Sequence, residues 1–366
     1  MFWKYFLVGR ILLLLTLEAK ASNELRKIEI TDKEAVCNDN SRAVYYIGND
    51  GKRSPKKWII FFESGGLCTS KADCNKRYKN KNSTVLMSSN AFPDRVIGRD
   101  LLSSSESENP TFHDYCHVLV PYCSSDLWLG ETTNLKKPFD FVDDSLVNNF
   151  RFRGQRIFRS VFADLKSNLS LATEVVVSGS SAGGIGVLNH ANWLSNSFFA
   201  RNQTKLRFII DSAWFINFQD GFKSRVKPEF AKLANISSRA CADLSFGYSC
   251  CLSAPCLISR GYFPIDIPVS FVFSLYDIYM FADVLKRLEN EGKTIEDNVA
   301  DFLAVVSMYG GAMNESLELS SSQGGNASFF VPACFQHTYF STSSLWDKDG
   351  VLGPLIEVSR GTGKFR

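Results

Sequence analysis

The chain has 366 residues, of which 45% are hydrophobic and 22% charged, with a formal charge of +3. That is enough apolar material for one large buried core or two ordinary ones, and it excludes a disordered, fibrous or low-complexity protein. The first 21 residues hold Lys4, Arg10 and Lys20 against Glu18, so the remainder stands at +1 and gives no electrostatic basis for binding nucleic acid or an anionic membrane.

The chain begins with a basic stretch at Lys4 and Arg10, a short apolar run over residues 11–17, and an A-x-A site at Ala19-Lys20-Ala21. This pattern predicts a signal peptide over residues 1–21, cleaved after Ala21, and a secreted, extracellular protein. The apolar run falls short of the roughly 20 residues a spanning helix requires, and no later apolar stretch is long enough to span, so no transmembrane segment is expected. Residues 22–366 read as one catalytic domain, expected to act as a monomer. The ten cysteines are an even count, which in a secreted chain predicts five disulfides. Five residues separate Cys68 from Cys74 and four separate Cys251 from Cys256, spacings that do not match zinc-binding pairs, so no metal is expected. Six N-x-S/T sequons, at Asn82, Asn168, Asn202, Asn235, Asn314 and Asn326, predict a glycosylated surface.

Six apolar runs bounded by turn residues read as strands: residues 58–62, 117–121, 174–178, 206–210, 268–275 and 328–332. Several are apolar throughout, as parallel strands buried on both faces are. Helical periodicity falls between them, over residues 155–167, 182–195, 279–289 and 295–309. The alternation predicts an α/β fold with a mostly parallel central sheet flanked by helices. Residues 217–262 carry four cysteines and little periodicity, so they read as an insertion near the site. Residues 103–107 and 320–325 read as polar loops.

Gly179-Ser180-Ser181-Ala182-Gly183 follows the run at 174–178 and precedes the apolar segment at 184–188. A strand, a G-x-S-x-G turn and a helix make a nucleophile elbow, with Ser181 as the nucleophile. A serine hydroxyl needs an adjacent base. Of the four histidines, His113 and His117 precede the serine, and His190 lies nine residues along the same helix, about 13 Å away at 1.5 Å per residue. His337, after the last strand, remains as the base. Asp211 and Asp277 both end strands between serine and histidine. Asp277 lies one strand before His337, the hydrolase arrangement, and is preferred. Backbone amides of Gly65, Gly66 and Ala182 are the expected oxyanion donors.

At this point the chain resembles the Notum and pectin acetylesterase family of secreted serine hydrolases. The likeness rests on Cys37-Asn38-Asp39, Leu86-Met87-Ser88-Ser89, Glu108-Asn109-Pro110 and the run from Pro121 to Trp128. It extends through the elbow, through Asp211-Ser212-Ala213-Trp214-Phe215, and through Pro332-Ala333-Cys334 with His337. The resemblance implies an α/β-hydrolase fold with a triad on Ser181, Asp277 and His337, oxyanion donors on Gly65, Gly66 and Ala182, and no cofactor. It implies an acylated substrate, either a Wnt-like protein carrying palmitoleate or an acetylated, pectin-like glycan. An acyl pocket is expected from Leu67, Trp214, Phe215 and Tyr279. A catalytically dead binding protein on the same scaffold would have no need of all three triad residues.

Overall fold

The computed structural model describes residues 23–48, 54–132, 150–200, 203–216, 247–264, 266–280, 299–322 and 325–340. The expected signal peptide, the sequons at Asn202 and Asn235, most of the insertion and most of the helix expected at 279–289 lie outside the described residues.

Nine strands form one sheet: β1 (Glu24–Glu29), β2 (Val44–Ile47), β3 (Ser54–Phe62), β4 (Arg95–Ile97), β5 (Tyr115–Val120), β6 (Glu174–Ser180), β7 (Lys205–Asp211), β8 (Val269–Val272) and β9 (Ala327–Phe330). Their order is β4-β1-β2-β5-β3-β6-β7-β8-β9. The six strands from β5 to β9 in that order pair in parallel, and they are the six that the apolar runs mark. The other three pair antiparallel at one edge. They carry no continuous apolar run: β1 reads ELRKIE and β4 has three residues.

Alternating side chains feed two cores, which is why the parallel strands are apolar throughout. Trp58, Ile60, Phe62, Val175, Val177, Phe208 and Ile210 enter the larger core. Ile59, Phe61, Val176 and Ile209 enter the smaller one on the opposite face. In the larger core Phe158 of α2 (Gly154–Asp164) stacks on Phe62 with ring centroids 4.1 Å apart. The short α3 (Lys166–Leu169) follows α2. The helix after the elbow is α4 (Ala182–Trp193), with a π-helical turn over Leu194–Phe198 beyond it. α1 (Lys71–Lys79) is capped by Ser70, whose hydroxyl accepts from Asp73 N–H.

The described end of the insertion is a 3-10 segment, Gly247–Leu252, followed by α5 (Ala254–Ser259). Asn189 of α4 donates to Cys251 O at 2.7 Å, which seats this segment on the elbow helix. The last helix, α6, runs over Val299–Ser322. It absorbs residues 320–322, expected as loop. Ser320 Oγ donates to Ser316 O at 2.8 Å, and such a back-bond keeps a serine within a helix. No described helix is long and apolar enough to cross a membrane.

The expectation of five disulfides is corrected. Cys37–Cys123, Cys68–Cys74 and Cys250–Cys256 are bridged, and Cys251 is disulfide-bonded to a cysteine outside the described residues. Cys116 and Cys334 are not disulfide-bonded. Cys116 lies on β5 and Cys334 follows β9, five strands away in the sheet. At about 4.8 Å per strand that separation far exceeds the reach of a disulfide. The sequons at Asn82, Asn168, Asn314 and Asn326 are all exposed.

Candidate active site

The carboxyl ends of the parallel strands converge on one point, as they do wherever α/β sheets bind ligands. β6 ends at Ser180, and Ser181 makes the turn into α4 with φ 49° and ψ −111°. A positive φ on a residue with a side chain is strained, and the surrounding structure must enforce it. The tight packing there allows no side chain at the second glycine. A Cβ on Gly183 would lie 2.0 Å from Phe62 O, because α4 sits directly on the end of β3. Ser181 N–H donates to Asp211 O at 2.8 Å, so β7 also holds the elbow.

His337 and Asp277 extend from the ends of β9 and β8. His337 Nε2 lies 2.9 Å from Ser181 Oγ, and His337 Nδ1 lies 2.7 Å from Asp277 Oδ2. Asp277 Oδ1 accepts from Tyr279 N–H at 2.8 Å, which orients the carboxylate. The Asp277 side chain is 6% exposed and that of His337 18%, so the acid is shielded from water more than the base. The arrangement can deprotonate the serine hydroxyl and stabilise the resulting imidazolium.

The other three histidines lie outside this series. His190 is buried, stacks on Phe158 and hydrogen-bonds Trp128 O through Nε2 at 2.9 Å. Burial lowers its pKa to about 3, so it stays neutral. His117 Nε2 hydrogen-bonds Phe112 O at 2.7 Å, and the His113 backbone N–H donates to Asn109 O.

The loop after β3 carries Gly65 and Gly66. Gly66 has φ 65°, a conformation that favours glycine. Arg77 of α1 donates through Nη2 to Gly65 O, and the Tyr122 hydroxyl donates to Gly66 O at 2.7 Å. A peptide is planar and trans, so pinning the Gly65 carbonyl also fixes the opposite-facing N–H of Gly66. Ala182 is the first residue of α4, and its amide belongs to the first turn, which has no acceptor within the helix.

Four residues of this loop's support were not singled out from the sequence: Arg77, Tyr122, Asp126 and Trp128. Asp126 is fully buried and accepts from Ser124 Oγ at 2.6 Å, Trp128 N–H at 3.1 Å and Gly154 N–H at 2.7 Å. It stabilises a segment in which Ser125, Leu127 and Trp128 all have positive φ. Trp128 Nε1 in turn donates to Glu63 O at 3.2 Å, and Cys68 N–H donates to Ser125 O. The motif from Pro121 to Trp128 was visible in the sequence, but a positive φ on leucine or tryptophan has no compositional signal.

The expected acyl-pocket residues separate into two groups. Tyr279 stacks on the His337 ring at 5.1 Å, Phe215 lies 6.4 Å from it, and Leu67 bridges to Asp126 beside the glycine loop. Trp214 is 2% exposed, enclosed by Phe271, Phe273 and Phe329, and donates to Ser316 Oγ at 3.0 Å. Among the described residues no group of three His, Cys, Asp or Glu is placed to hold a metal ion.

The pectinacetylesterase family model matches residues 18–354. A palmitoleoyl-protein carboxylesterase NOTUM of Drosophila melanogaster is 29% identical over 331 residues, covering 86% of this chain and 45% of that protein. Its counterpart in Schmidtea mediterranea is 38% identical over 186 residues, covering 50% of this chain and 33% of that protein. The solved structure of the Wnt deacylase Notum from Drosophila superposes with a TM-score of 0.74 at 25% identity, covering 94% of this chain and 95% of that one. The chain spans less than half the length of the curated relatives it matches.

Proposed function

The chain belongs to the pectinacetylesterase family, a family of carboxylic ester hydrolases with an α/β-hydrolase fold, and from that premise we propose that it is a secreted serine carboxylesterase working through an acyl-enzyme. The observation that carries this reading is the hydrogen-bonded series Ser181 Oγ, His337, Asp277 at a strained elbow. Ser181 attacks the ester carbonyl while His337 takes its proton. Asp277 holds the imidazole and stabilises its cationic form without taking the proton. The amides of Gly65, Gly66 and Ala182 stabilise the oxyanion, and water then releases the acid.

The substrate proposed is a fatty acyl ester on a protein, with palmitoleate on a Wnt-type partner as the model. The support is the likeness to Notum proteins over most of the chain. Secretion after cleavage at Ala21 is supported by the buried disulfides and the exposed sequons, both suited to an oxidising compartment. A second reading, a short-chain acetylesterase on a glycan, is favoured by the Tyr279 ring against His337, which narrows the space beside the nucleophile.

Initial rates on p-nitrophenyl esters from acetate to palmitoleate distinguish the two. Rates rising through C8 and beyond are expected. A preference for acetate with nothing beyond C4 would give the second reading. Ser181→Ala should lower every rate by at least about a thousandfold.

A further inference from the structure

Asp211 ends β7, the strand lying between the nucleophile strand and the acid strand. It takes no part in the series Ser181, His337, Asp277, yet it is 0% exposed. Four donors meet its carboxylate. Ser180 Oγ donates to Oδ2 and Ser212 Oγ to Oδ1, the latter at 2.8 Å. The Tyr339 N–H reaches both oxygens, at 3.1 and 3.0 Å, and the Phe340 N–H reaches Oδ2 at 3.1 Å. Ser212 Oγ accepts from Thr338 N–H at 2.9 Å, and the Asp211 carbonyl accepts from Ser181 N–H at 2.8 Å.

Two of the groups tied together are therefore the two residues at the elbow, and three are the residues immediately after His337. That second segment lies past β9, so no sheet ladder fixes it. It is also strained. Thr338 has φ 65°, an outlier for a β-branched residue, and Ser212 has φ 49°. Such conformations persist only where the surroundings over-determine them. A buried carboxylate without partners would be strongly destabilising, and here its partners are the segments that carry the nucleophile and the base.

We infer that Asp211 is a positioning residue, clamping the His337 loop to the elbow and setting the separation of His337 Nε2 from Ser181 Oγ. The inference rests on the serine-esterase reading above. Asp211 is not the triad acid, because its oxygens bind the loop backbone while His337 Nδ1 binds Asp277. A misplacement of about 1 Å costs on the order of a hundredfold in rate, so a clamp of this kind acts on kcat.

The test measures kcat and KM on p-nitrophenyl butyrate for Asp211→Asn and Ser212→Ala, per active site titrated with a fluorophosphonate, beside Ser181→Ala, which has no serine to titrate and is assayed per mole of protein. The same proteins are observed by proton NMR for the downfield resonance of the His337–Asp277 hydrogen bond. Asp211→Asn sets an NH2 against donors and should lower kcat about a hundredfold, with KM within about twofold. Ser212→Ala leaves the carboxylate in place, removes the hydroxyl that donates to its Oδ1 and frees Thr338 N–H. It should lower kcat about tenfold and shift or broaden the downfield resonance, and it decides the matter if Asp211→Asn does not fold. Wild-type kcat per titrated site and an unmoved resonance in Ser212→Ala would overturn the clamp. If Ser181→Ala still hydrolyses the ester, the serine-esterase reading falls instead.

Discussion

Tyr122 shows how one hydroxyl can join two loops. It donates to Gly66 O and accepts from Leu127 N–H, both at 2.7 Å, so it couples the glycine loop to the strained Ser125–Trp128 turn. Tyr122→Phe removes that oxygen alone. It should leave the ring packing intact, lower kcat by about tenfold, and change KM little, because oxyanion stabilisation is realised in the transition state. The check is a steady-state comparison together with the affinity for a trifluoromethyl ketone, which should weaken in parallel with kcat. Asp126, on the same turn, supplies the pH prediction. Burial raises its carboxyl from 3.8 to about 7 against the pull of its hydrogen bonds. The folded chain then holds this proton more tightly than the unfolded chain. The group's contribution to stability is therefore present at pH 4 and lost as pH rises towards 7. Thermal unfolding of Asp126→Asn should lack that part of the decline between about pH 4 and pH 7, although its melting temperature should be lower throughout.

At the scale of elements, the site depends on how closely α4 approaches the end of β3. Gly183 permits that approach, and Gly183→Ala would place a methyl carbon 2.0 Å from the Phe62 carbonyl oxygen. Backbone cannot give way as a flexible side chain can. The substitution should destabilise by about 3 kcal/mol or more and displace the elbow. Its signature is a lower denaturant midpoint, with activity lost even in the fraction that stays folded. An outcome with wild-type activity and midpoint would mean that the helix is free to move. The strand ends around it were legible in the sequence, because parallel strands buried on both faces must be apolar throughout. Strands β1, β2 and β4 were not legible. They form an antiparallel edge, and a strand of three or four residues leaves too short a pattern to read. The serines that end α6 were misread as loop for a related reason: their helical state depends on side-chain back-bonds that composition does not reveal.

For the whole molecule, the Cys37–Cys123 bridge joins residues 86 apart and ties the antiparallel edge to the end of β5, one residue past Tyr122. A loop of that length restricts the unfolded chain by about 4–5 kcal/mol in the chain-entropy model. The bridge thus stabilises both the sheet edge and the support of the glycine loop. By itself the sequence determined the fold class and the six parallel strands and picked out Ser181, Asp277 and His337 as candidates, because periodicity, chain order and a scarcity of histidines are local or countable properties. Only the tertiary structure decided which cysteines pair. It also decided that Trp214 is enclosed by Phe271, Phe273 and Phe329, and that Arg77, Tyr122, Asp126 and Asp211 hydrogen-bond the segments around the candidate triad. Those decisions rest on distances between segments far apart in the chain and on backbone conformations forced by packing, and neither leaves a mark in the local order of residues.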